Sequence, residues 1–381
     1  MLVDEVAKSR KERVIDLLKK YDADGWLVIS SKNDPNLDYL LNASYYGLTA
    51  ALLTRDSLKI LASKLEESMV SKPHVDQVIT YYGSRDFVAK LLELLKDVRD
   101  GRLLLNIAPP LVSTHASRIS YGHAKVIMNL CELYGITVVS SHNFVNELRS
   151  IKTDAELTAL EKSVKFTLEA IDNVVEKIKI GMSEKEVAAM LYKEIYLIAK
   201  PAFETIVAFG ENTANPHHET SDKKLRAGEI GYIDVGIRYA GVCSDITRVF
   251  FTSTADAEFS KIYLAVREAQ DASISKIRDG ISAVEPDTVA RETIKAHGYD
   301  PEKHFTHGLG HPLGVEVHDV GPALSFLSPP NVLLRKNMAL TIEPAIYIEK
   351  KGGVRLEDDI IVESTSARRL SRSPEEPPKV G

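Results

Sequence analysis

The sequence predicts an α/β domain over residues 1–150, followed by an α+β domain over residues 151–381. The second has an antiparallel sheet with helices packed on one side. Three observations predict this. At 381 residues the chain exceeds the roughly 250–300 at which one hydrophobic core stops growing. Strand and helix patterns alternate through the first part, the mark of a parallel or mixed sheet. From Phe203 onward strand-like runs come in pairs around polar turns, the mark of hairpins.

The elements follow in order. RKERVIDLLKKYD reads as an amphipathic helix and GWLVIS as a buried strand. LTAALLT and LKILAS are two strands joined at residues 55–57. VDQVITYYG is a strand and FVAKLLELLKDV a helix; GRLLLNIA, GHAKVIMNLCELYG and ITVVSS give strand, helix, strand. The domain boundary falls near residues 143–153. There Thr153 and Glu156 form a capping box, and Leu157, Leu160, Val164, Ile171, Val174 and Ile178 recur at helical spacing. Gly181 ends that helix. Ser183 and Glu186 form a second capping box, opening a helix to about Ile198. Further helices cover about 256–278 and 287–297. No fixed-period repeat is present. The tail STSARRLSRSPEEPPKVG is polar and proline-rich and reads as loose.

Composition narrows the function classes. The chain is 44% hydrophobic and 27% charged, with a net charge of -6 and a pI near 6.0. No basic footprint for nucleic acid exists. No apolar run approaches the ~20 residues of a membrane span, and the N-terminus has no apolar signal core. Cys131 and Cys243 are the only cysteines, so no disulfide framework forms. The cytoplasm fits.

Paired acids carry the chemistry. In IGYIDVGIRYAGVCSDITRVFF, Asp234 and Asp245 are nearly equidistant from a turn around Tyr239–Ala240. A hairpin then places them opposite each other, with Cβ atoms about 4.5–5.5 Å apart. Either aspartate alone reads as a turn cap or a water-facing side chain; the symmetry argues for a cation between them. The arrangement recurs in ALTIEPAIYIEKKGGVRLEDDIIV, where Glu343 and Glu357 flank Lys350–Lys351. Glu349, Asp358 and Asp359 read as surface acids near the hairpin ends. Between the hairpins lies HFTHGLGHPLGVEVHDVG, with His304, His307, His311 and His318. His307 and His311 are four residues apart, but Gly308 stands where a zinc-binding helix has its glutamate, and two glycines and Pro312 argue against a helix. A glycine-rich loop carrying one ligand histidine is the better reading. Four carboxylates and one imidazole balance two divalent cations and favour Mn²⁺, Co²⁺, Fe²⁺ or Zn²⁺. Two such ions about 3.5–4 Å apart activate water near neutral pH and polarise a carbonyl.

These motifs resemble the pita-bread metallopeptidases: prolidase (Xaa-Pro dipeptidase), aminopeptidase P, methionine aminopeptidase and the metal-free relative creatinase. The N-terminal run through NLDYLLNASYYG resembles the smaller domain of prolidase and aminopeptidase P. NELRSIKTDAELTAL resembles their interdomain connection, and FETIVAFGENTANPHHETSDKKLRAGEIGYIDVGIRYAGVCSDITRVFF the first half of their catalytic core. GLGHPLGVEVHD, TIEPAIYI and GGVRLEDDIIV match the remaining motifs. The resemblance implies that Asp234 chelates one ion, that Asp245 and Glu357 bridge both, and that His311 and Glu343 hold the other. It implies substrate contacts for His217 and His318, with His217 steadying the oxyanion. It also implies a supporting role for Arg355 and proton transfer by Glu343. The implied assembly is a homodimer in which the N-terminal domain of one subunit borders the other's active site.

The implied reaction is cleavage before proline in Xaa-Pro dipeptides or short Xaa-Pro peptides, with Mn²⁺ or Co²⁺ as the leading cofactors. Pro312, Leu313 and Ala345 depart from the family pattern around the ligands. The connection from Ile198 to Phe203 is short. No arginine occurs between Asp319 and Pro330, where many prolidases grip a dipeptide's free carboxylate, and His-Asp-Val-Gly is closer to aminopeptidase P. An aminopeptidase P-type activity on longer Xaa-Pro-Xaa peptides is therefore the first alternative. A metal-free creatinase-like hydrolase and a non-catalytic binding module rank lower, because all five ligand candidates are intact.

Overall fold

The computed structural model describes residues 1–31, 33–109, 118–254 and 256–381. The chain divides into two compact units: Met1–Arg149 with Thr153–Ala155, and Ser150–Lys152 with Glu156–Gly381.

The first unit is built on a six-stranded mixed sheet. Its strands are β1 (Gly25–Ser30), β2 (Thr49–Thr54), β3 (Leu58–Ser63), β4 (Gln77–Tyr81), β5 (Arg102–Leu105) and β6 (Thr137–Ser140). They lie in the order β4-β3-β2-β1-β5-β6. β2 pairs antiparallel with β1 and β3, and the remaining pairs are parallel. Every residue of β2 is buried, which explains its continuous apolar run: a strand covered on both faces has no polar alternation. Trp26 is wholly buried, and its Nε1 donates to Asn106 Oδ1 at 2.8 Å, so its burial strands no donor.

In the second unit the main helices are Asp154–Val175 (from Glu156 onward), Glu184–Tyr196, Ala257–Ile274 and Val284–Ala296. The first ends at Val175 rather than at Gly181. Gly181, at φ +95, sits in the turn beyond it, where its amide donates to the Leu225 carbonyl. The Ser183 capping box forms: Ser183 Oγ accepts from the Glu186 amide and Glu186 Oε2 from the Ser183 amide.

The strands of this unit are β7 (Lys200–Pro201), β8 (Ile206–Phe209), β9 (Ile230–Val235), β10 (Ile237–Tyr239), β11 (Val242–Cys243), β12 (Ile246–Thr252), β13 (Ala339–Ile342), β14 (Ala345–Ile348), β15 (Gly352–Arg355), β16 (Asp358–Val362), β17 (Ala367–Arg369) and β18 (Lys379–Val380). Two long antiparallel hairpins dominate. In the first, β9 pairs β12 and the same register continues through β10 and β11. Ala240 and Gly241 form its turn with φ of +50 and +83, the two left-handed residues of a type I′ hairpin turn. In the second, β13 pairs β16 and β14 pairs β15, both centred on Lys350. Helix residues Phe259, Val266, Ala290 and Ile294 share one buried core with Leu340, Ile346 and Val354 of these strands.

The tail is not loose. β17 pairs with β16, and β18 pairs parallel with β12. Arg369 explains the anchoring: its guanidinium bonds Asp358, which is fully buried, and Gln270. A polar composition predicts disorder only when the polar groups have no buried partner to satisfy. Among the described residues no helix is long and apolar enough to cross a membrane.

Candidate metal centre

Strand registers decide where the acids stand. Asp234 pairs with Thr247, and Asp245 precedes β12. The expected direct opposition of Asp234 and Asp245 is therefore corrected. The turn is centred one residue later than its polar pattern suggests, which offsets the two by two positions. An offset of two preserves the face, so both still point the same way. Gly236 occupies the position opposite Asp245, and a Cβ there would lie 2.0 Å from the Ser244 carbonyl oxygen. Glu343 falls between β13 and β14, and Glu357 between β15 and β16. Both interruptions share the centre at Lys350, so these two glutamates stand opposite each other where the ladder is broken.

His311 arrives on a loop, as glycine content predicts. Its amide donates to Thr341 Oγ1 at 3.0 Å, and its carbonyl accepts from the Thr341 amide at 2.9 Å. Gly310 permits this approach, since a Cβ there would sit 1.9 Å from the Thr341 carbonyl oxygen. His318 follows on the same loop, its ring 4.0 Å from that of His311 between centroids. His304 stands apart, its Nδ1 bonded to the Tyr347 carbonyl.

One cavity of about 430 Å³ is lined by Asp234, Asp245, His311, Glu343 and Glu357, and also by His217, His318 and Arg355. Donor atoms of Asp245, His311 and Glu357 all lie within 4.8 Å of one another. His311 Nε2 is 3.4 Å from Asp245 Oδ2 and 3.5 Å from Glu343 Oε1. Asp234 is engaged differently, with Oδ2 held by Arg355 Nη2. The same guanidinium donates to Thr247 Oγ1, the Pro216 carbonyl and Tyr347 Oη. Thr247 Oγ1 in turn donates to Glu357 Oε2 at 2.8 Å.

The electrostatics are those of a site short of positive charge. Burial, then repulsion from Glu357, Asp234 and Glu343, pushes the Asp245 carboxyl well above its ordinary range. Burial and repulsion from Glu343 and Asp234 do the same to Glu357. Burial raises Glu343 to about 8, opposed by Arg355 and reinforced by Asp234. Burial and the neighbouring His318 push His311 down to about 3, which keeps its imidazole neutral and free to act as a ligand. Asp234 Oδ1 and Asp245 Oδ1 are buried without a hydrogen-bond partner. Orphaned carboxylate oxygens, crowded acids and a neutral imidazole fit divalent cations.

Four other residues of the site escaped the reading of the sequence. His307 lines the cavity with Nδ1 4.0 Å from Glu343 Oε2, although its spacing from His311 suggested only a helix that does not form. Tyr347 and Thr247 act through Arg355. Their only signal is placement on the strands that follow Glu343 and Asp245. Glu184 holds the loop leading to His217, accepting from the Phe209 amide, Asn212 Nδ2, His218 Nε2 and Ser221. Burial alone would raise its pKa; the bonds from His218, Ser221 and Asn212 outweigh that and hold the carboxyl down to about 2. A depressed carboxyl stabilises above its unfolded pKa of 4.5 and loses that contribution as pH falls toward 2. Glu184→Gln is expected to cost on the order of 3 kcal/mol at pH 7. Denaturant titration should show the deficit shrinking between pH 5 and 3. A deficit independent of pH would rule out the charge as its cause.

Fold and donor set together define a metal-dependent hydrolase of the pita-bread type. Residues 158–364 match the model of metallopeptidase family M24. Over 377 residues the chain is 32% identical to an Xaa-Pro dipeptidase from Pyrococcus horikoshii, covering 98% of this chain and 99% of the relative. Among solved structures, it superposes on an X-Pro aminopeptidase from Thermotoga maritima MSB8 with a TM-score of 0.85 at 27% identity, over 97% of this chain and 99% of the other. A Bacillus anthracis Xaa-Pro dipeptidase gives 0.82 at 28% identity, over 98% and 100%. The chain belongs to metallopeptidase family M24.

Proposed function

We propose that this protein hydrolyses the peptide bond preceding proline in Xaa-Pro dipeptides or short Xaa-Pro peptides. Asp234, Asp245, His311, Glu343 and Glu357 would hold two divalent ions, Mn²⁺ or Co²⁺ before Fe²⁺ or Zn²⁺. The observation that carries this is the cavity itself, where crowded buried acids meet a neutral imidazole. It occurs in a chain similar end to end to an Xaa-Pro dipeptidase. When bound, the ions supply polarisation of the scissile carbonyl and a lowered pKa for the attacking water.

The chain's own residues do the rest. Glu343 accepts and returns the proton at its carboxyl once the ions hold that carboxyl ionised. His217 and His318 line the cavity and hold the substrate, with His217 donating to the developing oxyanion. Arg355 keeps Asp234 and, through Thr247, Glu357 in place. One observation supports the second reading, aminopeptidase P-type action on longer peptides. Among the described residues Arg355 is the sole Lys or Arg lining this cavity, and it is committed to Asp234. No other Lys or Arg among the described lining residues remains to meet a dipeptide's free carboxylate.

A cytoplasmic homodimer completes the proposal. The dimer rests on the family resemblance, and both cysteines are free and buried, as suits a reducing compartment. The deciding experiment assays metal-stripped protein with and without Mn²⁺ or Co²⁺ on a Xaa-Pro dipeptide, a Xaa-Pro-Xaa tripeptide and Xaa-Ala controls. Metal-dependent cleavage confined to Xaa-Pro substrates is expected, and the dipeptide-to-tripeptide ratio separates the two readings. Metal binding without cleavage of any peptide removes the substrate assignment. The mass of the loaded protein, measured for stoichiometry, checks the dimer.

A further inference from the structure

The helix Val284–Ala296 carries an ion pair that the proposed chemistry leaves unused. Asp287 is wholly buried, and Arg291 Nε donates to its Oδ2 at 2.7 Å. Neither residue lines the cavity, yet between them they reach both of its loop walls. On one side Asp287 Oδ1 accepts from the Leu309 amide at 2.9 Å. Arg291 donates to the carbonyls of Phe305 at 2.9 Å and His307 at 2.6 Å. This pins the loop that presents His307 and His311. On the other side the Phe326 ring lies 4.2 Å from the guanidinium carbon. The Phe305 ring lies 4.5 Å from the same carbon, so each wall contributes an aromatic ring to one cation.

The two walls also meet directly. Gly310 and Leu324 exchange backbone hydrogen bonds at 3.2 and 2.9 Å. A Cβ on Gly308 would come within 2.9 Å of the Leu324 carbonyl oxygen. Beyond that bridge, Ala323 and Ser325 line the cavity while Phe326 is 49% exposed. The wall at 323–326 is thus held by this bridge, by the Leu324 side chain buried in the core and by the Arg291 guanidinium against the Phe326 ring.

We propose that Arg291, with Asp287, is a positioning residue that sets substrate affinity by fixing the 323–326 wall against the loop bearing His307 and His311. It touches neither substrate nor the proposed ligand atoms. The inference rests on the peptidase reading above. A guanidinium serves four acceptors (Asp287 and the Pro301, Phe305 and His307 carbonyls) and two rings at once because its donors form a rigid planar fork. A lysine supplies the charge without the fork.

The test compares Arg291→Met, Arg291→Lys and Phe326→Ala with the wild type, each loaded with Mn²⁺ and supplied with a Xaa-Pro-Xaa tripeptide. For Arg291→Met we expect KM to rise about 10-fold with kcat within roughly 3-fold, since a misplaced wall costs alignment rather than chemistry. Metal stoichiometry should be unchanged, and hydrogen exchange at the Leu324 amide should accelerate. Arg291→Lys should fall between Arg291→Met and wild type. Phe326→Ala leaves the ion pair and both loop carbonyl contacts in place. It carries the same KM-against-kcat test if Arg291→Met does not fold, with a rise of about 3-fold expected. A folded, loaded Arg291→Met with KM within about 2-fold of wild type overturns the proposal. So does a loss of kcat in step with lost metal or lost melting temperature, which a purely structural role would produce. A wild-type protein that binds Mn²⁺ but cleaves no peptide overturns the peptidase reading and this inference with it, and it is recognised in the parent before any variant is made.

Discussion

Asp245→Asn is expected to abolish metal-dependent peptide cleavage while making the metal-free protein more stable. Both effects have one origin. Asp245 is buried, and Glu357, Asp234 and Glu343 all disfavour its charge. Without a cation that repulsion is a standing cost of the fold, and an amide of the same shape relieves it. A gain of about 1 kcal/mol, or ~2–4 °C in melting temperature, is the expected scale for a domain of this size. With a cation the same carboxylate is a proposed bridging ligand. Replacing residues that merely support a ligand typically costs about 10–100-fold in affinity or activity, so losing this one should cost more than ~10²-fold. Calorimetry on chelator-treated protein and metal analysis of the reloaded protein read the two halves separately. An Asp245→Asn protein that turned over peptide at the wild-type rate would sink the ligand assignment. One less stable than metal-free wild type would show that the acids do not burden the fold.

The second large effect is on pH. Metal-stripped protein is expected to lose about 2 kcal/mol of stability between pH 6.5 and 8, and metal-loaded protein is not. The sign comes from Glu343, whose carboxyl rises from 4.5 to about 8 in the folded state. The folded chain binds this proton more tightly than the unfolded one. The stabilisation is therefore complete below the unfolded pKa and drains away as pH climbs through the folded one. Asp245 and Glu357 shift in the same direction. Below pH 6.5 the buried neutral imidazoles of His311 and His307, held down at about 3 and 4, work the opposite way and mask the trend. The clean window is therefore the alkaline one. A bound cation displaces the proton and flattens the slope, and loading should release protons into the buffer. Denaturant titrations at pH 6.5, 7.25 and 8, with and without Mn²⁺, decide it. Metal-free stability that stayed level or rose across the window would mean that burial and the neighbouring acids do not raise these carboxyls in the folded chain.

Much of the site was legible because hairpins convert sequence symmetry into proximity. Glu343 and Glu357 flank Lys350 evenly, and the observed register is centred on that residue. The first hairpin was misjudged by one residue because its turn falls on Ala240–Gly241. Ala240 adopts a positive φ that its residue type does not advertise. Partnerships between distant segments were not legible. Arg355 and Asp234 lie 121 residues apart, and Thr247 and Glu357 lie 110 apart. No local pattern announces that one guanidinium spans both hairpins. The tail was misread because composition cannot show that Arg369 has the buried Asp358 to neutralise. The Asp287–Arg291 pair has helical i,i+4 spacing, which on sequence alone is indistinguishable from a solvent-facing pair.

The broken ladder at Glu343 and Glu357 also bears on how the molecule reaches its native state. Its proposed donors come from both hairpins and from the loop between them, so an unfolded chain offers an ion no pre-assembled nest. Closing contacts across more than a hundred residues is the slow, entropically costly part of folding, and it must be finished before the last donor is in place. An ion that binds only the completed structure leaves the forward rate almost untouched and acts on the reverse one. On this account metal is a latch rather than a template: it does not teach the chain its shape but lengthens the time for which the shape survives.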